Sequence, residues 1–406
     1  MTAIEIRQAA QSSATGTSEG LMQLLYVTED VPNRDAVYGD GSSMIPFEVI
    51  RHMPANVAVT LVTFEGEVAL PQEIQDRCER VVRLMRRPLR QATAVSCLTS
   101  LSVGAARLAT HEAQTVVRQM STGADVTLIH GPHASVLAGN VVGALVMQVV
   151  DPWSFRVDME SALVRGVRAA YRKRKARQAR VREQQLPERA RLLTVSEADA
   201  RRWRTTLNRD VRSVPNGTDQ VTVAYRRPEE PTICFVGSLN YAPNVESARI
   251  LVREVAPRLW QRHPSLRVVL AGRQPAPEVL DLTSSRVAVL ANVPSVDEVF
   301  CSSSLAVFPD RHGLGIRNSV REALAAGTAV VATAAAAREQ PAHPLLHVAA
   351  DLEELVERVD QLLKDGATVP SGGEAAAPER TWLDVALEYV EECRAAIAAL
   401  EVPARA

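Results

Sequence analysis

Two successive series of short apolar runs, each followed by a helical stretch, constrain this chain more than any other feature. LMQLLYVT (21–28), VAVTLVTF (57–64), DVTLIHG (125–131), ALVMQVV (144–150) and RLLTVS (191–196) form the first series. TICFVGS, LRVVLAG, RVAVLAN, LAVFP (305–309) and TAVVAT (328–333) form the second. The runs are continuously apolar instead of alternating, which predicts strands buried on both faces, as in a parallel sheet covered by helices. Helical patterns separate them, SSMIPFEVIRHM (42–53) in the first series and stretches near 244–262, 295–302 and 318–326 in the second. The fold class read from this pattern is α/β, with two doubly wound, Rossmann-like domains facing each other across a cleft.

The boundaries follow from composition shifts. Residues 1–20 are small and polar without an apolar core, which predicts a disordered tail and no signal peptide. Residues 21–220 form the first domain, closed by the Pro-Asn-Gly break in VRSVPNGTD (211–219). Residues 221–378 form the second, ending in a linker, GATVPSGGEAAAPER (366–380). The stretch 379–402 is an amphipathic helix expected to pack back toward the first domain.

Composition excludes several classes. A length of 406 residues suggests two to three domains, and 46% hydrophobic with 23% charged residues is a globular balance. A net charge of −1 argues against a chain-wide nucleic-acid footprint. Five cysteines without CxxC spacing fit a reduced, cytoplasmic protein without structural zinc. No apolar run reaches the roughly 18 residues that a membrane span needs. Lysine is confined to Lys173, Lys175 and Lys364, so a bound phosphate is expected to meet arginine, backbone amides or a helix terminus. Residues 165–191 are a basic run with three readings, a solvated helix, a helix making peripheral contact with anionic lipid or an acidic partner, or a nucleic-acid contact.

The chemistry concentrates in HGLGIRNSVREALAAGTAVVAT (312–333), which follows the LAVFP strand. In an open parallel sheet, ligands sit at the carboxyl ends of strands, where loops lead into helix N-termini. Gly313 and Gly315 let the backbone approach a ligand, and the helix starting near Arg317 points N–H groups at it, which reads as a phosphate cradle. Arg317 can add a charge-assisted fork, and Glu322, more than a turn into the helix, suits ribose hydroxyls.

The segments VGSLNYAPNVESARILVREVAPRL (236–259), VVLAGRQPAP (268–277), VLANVPSVDEVF (289–300) and GLGIRNSVREALAAGTAVVAT resemble the donor-binding half of family 4 retaining glycosyltransferases of the GT-B fold. The likeness is nearest to the sugar transferases of exopolysaccharide clusters. In the first half, YGDGSSMIPFEVIRHM (38–53), LIHGPH (128–133), DPWS (151–154), VSEADA (195–200) and VPNGTD (214–219) stand in the matching order. The resemblance implies transfer of a sugar from a nucleotide-diphosphate sugar to a glycan, lipid-linked or natural-product acceptor, with no metal and no cofactor beyond that co-substrate. It places Gly237 and Ser238 at the donor pyrophosphate, Arg273 toward the same phosphates, and Asn292 and Val293 at the base. Glu322 matches the ribose-binding glutamate, within a loop and helix that include Gly313, Leu314, Gly315, Ile316, Asn318 and Ser319. Gly39 and Asp40 would close over the donor, and His130 would approach the transferred sugar; His130, Arg273 and Arg317 are the catalytic candidates.

Three departures accompany the likeness. Leu314 stands where many members carry a first glutamate, Ser238 where they carry arginine, and Ser319 where the subgroup has lysine. Leaving-group stabilisation then falls on Arg273, Arg317, Arg311 and backbone amides. A nucleotide-sugar epimerase or glycan phosphorylase on the same fold, and a catalytically silent sugar-nucleotide-binding partner subunit, are the alternative functions.

Overall fold

The computed structural model describes residues 20–35, 37–39, 41–162, 167–226, 228–312, 316–366 and 380–401. The tail before residue 20, most of the 366–380 linker, Asp40, and the Gly313–Leu314–Gly315 triplet lie outside the described residues.

The first sheet contains β1 (Met22–Thr28), β2 (Val57–Phe64), β3 (Arg80–Leu84), β4 (Val126–His130), β5 (Ala144–Val150), β6 (Arg191–Thr194) and β7 (Val211–Ser213). The second contains β8 (Thr232–Val236), β9 (Arg267–Gly272), β10 (Val287–Ala291), β11 (Leu305–Phe308), β12 (Val330–Thr333) and β13 (Leu346–Ala349). Their orders are β3-β2-β1-β4-β5-β6-β7 and β10-β9-β8-β11-β12-β13, and every pairing is parallel. Each order reverses once, between β1 and β4 and between β8 and β11. Chain leaving those strands in opposite directions opens a crevice at their carboxyl ends.

The helices that bear on the site are α1 (Gly41–Arg51), α2 (Leu89–Leu98), α3 (Trp153–Ala162), α4 (Val167–Gln184), α5 (Ala242–Ile250), α6 (Asn318–Ala325) and α7 (Trp382–Glu401). The apolar runs are buried as their pattern requires: β4, β11 and β12 are covered along their whole length. The strands missing from the sequence pattern are β3, β7 and β13, which lie at or near sheet edges. β3 reads RVVRL with both arginines exposed, so it lacks the continuous apolar signal. β7 is three residues long and runs directly into the Pro-Asn-Gly break.

Helix α7 returns to the first domain after the second is complete. Trp382, Val385, Tyr389, Val390 and Cys393 join the core on one face of the first sheet. Full burial of such side chains contributes about 1.5–3 kcal/mol each. Gln148 Nε2 on β5 donates to the Tyr389 hydroxyl at 2.6 Å, and Arg191 forms an ion pair with Glu392. The two inter-domain passages touch: Thr218 N donates to Arg380 O at 3.0 Å, and Arg380 Nε donates to Pro215 O at 2.8 Å. A Cβ on Gly217 would lie 2.4 Å from the Thr381 carbonyl carbon, so only glycine lets the strands cross this closely.

Helix α4 carries the basic run, and one row of its side chains is pinned to the domain. Arg174 donates to Ser96 O at 2.5 Å, Gln178 to Leu101 O at 2.8 Å, and Arg182 to Ser135 O. No described helix is long and apolar enough to cross a membrane.

Candidate functional site

A cleft of about 590 Å³ opens at the carboxyl ends of the strands, between Arg34, Gly39 and Gly41 on one side and the β8, β9 and β11 ends on the other. Its position is the switch point of the second sheet. At β8 the chain ends in Val236, Gly237 and Ser238, all in the cleft wall. Gly272, at the end of β9, has φ 153°, and a Cβ there would sit 1.7 Å from the Gly237 carbonyl oxygen. Two backbones are thus pressed together in the cleft wall. From the next residue, Arg273 Nη2 donates to Ser238 Oγ at 2.8 Å, holding a guanidinium over the β8 turn.

Arg317 also lines the cleft, but its charge is already engaged. It is the N-cap residue of α6, and its extended backbone turns the side chain inward. Nη1 donates to Asp310 Oδ2 at 2.6 Å and to Asn244 Oδ1 of α5 at 3.2 Å. The guanidinium lies 4.9 Å from the Phe235 ring and 4.7 Å from the Phe308 ring, between the ends of β8 and β11. Burial lowers its pKa and Asp310 raises it. Arg311 turns elsewhere: it pairs with Glu254 at 3.2 Å and Glu246 at 3.7 Å and is not part of the cleft wall.

Glu322 stands in the cleft on the second turn of α6. Among the described residues its carboxylate has no hydrogen-bond partner. Its pKa is raised to about 7, first by burial; Asp297 and Asp219 push the same way, while Arg34 and Arg273 oppose. Burial thus favours the protonated carboxyl, and only once ionised does it accept strongly from hydroxyls that a ligand brings. Ile316, Asn318, Ser319 and Val293 line the same cleft, whereas Asn292 does not. Asn292, at φ 54°, accepts from Gln274 N at 2.9 Å and so fixes the loop beneath Val293.

From the first domain, Gly39 N donates to Asp35 O at 2.9 Å, and Asp35 Oδ1 accepts from Val37 N and Tyr38 N. These bonds set Asp35 and Gly39 in the cleft wall. His130, the last residue of β4, is fully buried and does not line the cleft. It lies against the backbone of Gly41, which does. Burial holds the imidazole neutral, with a pKa pushed down to about 3, against a smaller upward effect of Gly41.

Sequence reasoning gave no role to Arg34, Asp219 or Asp310. Arg34 Nη1 pairs with Asp219 at 2.5 Å, and its Nε pairs with fully buried Glu48 of α1. The signals were present: Arg34 precedes the Gly39 loop, Asp219 closes the VPNGTD motif, and Asp310 directly follows the LAVFP strand. Glu48, His52 and Asp219 bring ligand atoms within 4.8 Å of one another, a spacing that suits a cation, and Arg34 supplies one there.

Residues 230–365 match the family described as "Glycosyl transferases group 1". No curated protein matches the chain. Among solved structures, the Anabaena protein HepE in complex with UDP and glucose is similar at 14% identity with a TM-score of 0.63, over 91% of this chain and 98% of HepE. Sucrose-phosphate synthase from Thermosynechococcus elongatus is similar at 15% identity with a TM-score of 0.64, over 93% of this chain and 100% of that one. The trehalose-6-phosphate synthase OtsA is similar at 12% identity with a TM-score of 0.56, over 94% of this chain and 99% of that one. The chain therefore has the two-domain GT-B fold, and its second domain carries the group 1 glycosyl transferase pattern.

Proposed function

We propose that the protein is a retaining, family 4 glycosyltransferase that moves a sugar from a nucleotide-diphosphate sugar to an acceptor hydroxyl, in the cytoplasm and without a metal. The observation that carries this reading is Glu322: a cleft carboxylate on the helix after β11, unpartnered among the described residues, one strand-end away from the Arg273–Ser238 pair. That spacing suits a nucleoside diphosphate, ribose at Glu322 and phosphates at Gly237, Ser238 and the N-terminus of α6. Similar structures hold UDP with glucose and UDP-glucose, which supports a uridine donor as the first to try.

In the proposed reaction the bond between the sugar's anomeric carbon and the diphosphate oxygen breaks while the acceptor oxygen attacks from the same face. The acceptor's proton passes to the departing phosphate oxygen. Negative charge grows on the diphosphate, where Arg273 and preorganised N–H groups stabilise it more in the transition state than in the ground state. His130, neutral and packed under Gly41, positions the loop that covers the sugar.

The test is calorimetry with a panel of nucleoside diphosphates, followed by donor hydrolysis read as nucleoside diphosphate release. Binding with turnover supports the transferase. Binding without turnover supports a silent sugar-nucleotide-binding subunit, and no binding to any diphosphate rejects both.

A further inference from the structure

Outside the cleft, helices α2 and α4 of the first domain expose apolar side chains beside exposed cations. Helix α2 reads LRQATAVSCL, with one charged residue, and its last residue, Leu98, is 87% exposed. The Arg174–Ser96 hydrogen bond sets the end of α2 against α4, where Tyr171 is 53% exposed with the Lys175 ammonium 5.3 Å from its ring centroid. Helix α4 carries eight basic residues and one acidic residue, Glu183, which is buried. Among the described residues, Lys173, Lys175 and Arg177 are exposed and have no acidic partner. An apolar tip flanked by unneutralised cations is the complement of an anionic bilayer, where the ring and leucine enter the headgroup layer and the cations meet lipid phosphates. The patch also borders the carboxyl edge of the first sheet: Ser102, just after α2, lies 3.4 Å from Nδ1 of His133, which follows β4.

We propose that the α2–α4 face docks on an anionic lipid bilayer. The docking is independent of chemistry in the cleft. The experiment is co-sedimentation of the full chain with vesicles of phosphatidylcholine alone or with about one-third phosphatidylglycerol, at low and high salt. Binding is expected to anionic vesicles only, fading as salt screens it. Lys173→Gln, Lys175→Gln and Arg177→Gln together should lower the partition coefficient about a hundredfold, roughly fivefold per cation. Leu98→Asp should lower it with the cations intact. Unchanged nucleoside diphosphate binding by the variants shows that they are folded. Failure of the wild-type chain to sediment with anionic vesicles at low salt overturns the proposal, as does equal sedimentation of the folded variants. A shift on nucleic acid without vesicle binding overturns it in favour of another polyanion.

Discussion

Arg34 Nη1 lies 2.5 Å from Asp219 while the same guanidinium pairs with Glu48, so one side chain ties the first loop, helix α1 and the inter-domain passage together at the cleft. Glu48 is fully buried, with a pKa raised to about 7 by burial, against Arg34 and Arg51.

Arg34→Ala should therefore destabilise the protein in a pH-dependent way. Its side chain is 38% exposed, so the loss is discounted from that of a fully buried pair to about 1–3 kcal/mol. The loss should be largest near pH 8, where Glu48 is ionised, and shrink near pH 6, where it takes a proton. Denaturant unfolding at the two pH values measures this. A Glu48→Gln background should abolish most of the difference, and equal losses at both pH values would assign Arg34 to packing alone.

Glu322 should make nucleotide affinity rise with pH. Its carboxyl must be ionised to accept from ribose hydroxyls, and its pKa is about 7 in the empty cleft. Binding should strengthen between about pH 6 and pH 8 with proton release, and Glu322→Gln should lose about 1.5–3 kcal/mol at high pH. Stability of the empty protein should run the other way. A carboxyl raised from 4.5 to about 7 on folding keeps a proton that the unfolded chain has lost, so stability falls as pH rises from about 4.5 through 7. Glu29, raised to about 8, and Glu48 act in the same direction. Calorimetry in buffers of different ionisation enthalpy counts the proton; pH-independent binding would remove Glu322 from the ribose.

Gly272→Ala should abolish the β8–β9 arrangement. The new methyl carbon would sit 1.7 Å from the Gly237 carbonyl oxygen, and φ 153° strains any L side chain. Poor folding, or a melting temperature many degrees lower with nucleotide binding lost, is the expected outcome. Gly139→Ala, where a Cβ meets open space, is the control and should be neutral.

The interior of the fold was legible because strands covered by helices on both faces leave an unbroken apolar run, as in VAVTLVTF and LAVFP. Edge strands leave no such trace: β3, RVVRL, brackets two valines with exposed arginines, and β13, LHVA, is only partly covered. At the site, Gly237, Ser238, Arg273 and Glu322 could be placed because each is fixed by a strand end or helix turn a few residues away. The Arg34–Asp219 pair could not, since it joins the start of the first domain to its far end, and no local pattern links the two. Arg317 shows a different limit: its place in the cleft is local, but the inward turn onto Asp310 depends on the gap between Phe235 and Phe308.

That inward turn separates two arginines that the sequence treats alike. Arg273 presents its guanidinium over the β8 turn, held by Ser238, so Arg273→Ala should fold normally and lose transition-state stabilisation. Removing one such contact costs about 2.7–4 kcal/mol, a hundredfold or more in turnover, with weaker effects on binding of the bare nucleoside. Arg273→Lys should rescue only part, because a point charge does not reproduce the planar fork. Arg317→Ala should instead strand Asp310, whose side chain is 8% exposed, and cost about 3–5 kcal/mol of stability. Asp310→Asn in the Arg317→Ala background should recover much of that loss by removing the stranded charge. Arg311→Ala, which breaks only exposed pairs with Glu246 and Glu254, should change stability by less than about 1 kcal/mol and leave turnover intact. Thermal unfolding and nucleoside diphosphate release, measured on all of these variants, give the two readouts. If Arg317→Ala keeps its melting temperature but loses turnover, the Asp310 pair opens when donor binds and Arg317 joins Arg273 on the phosphates.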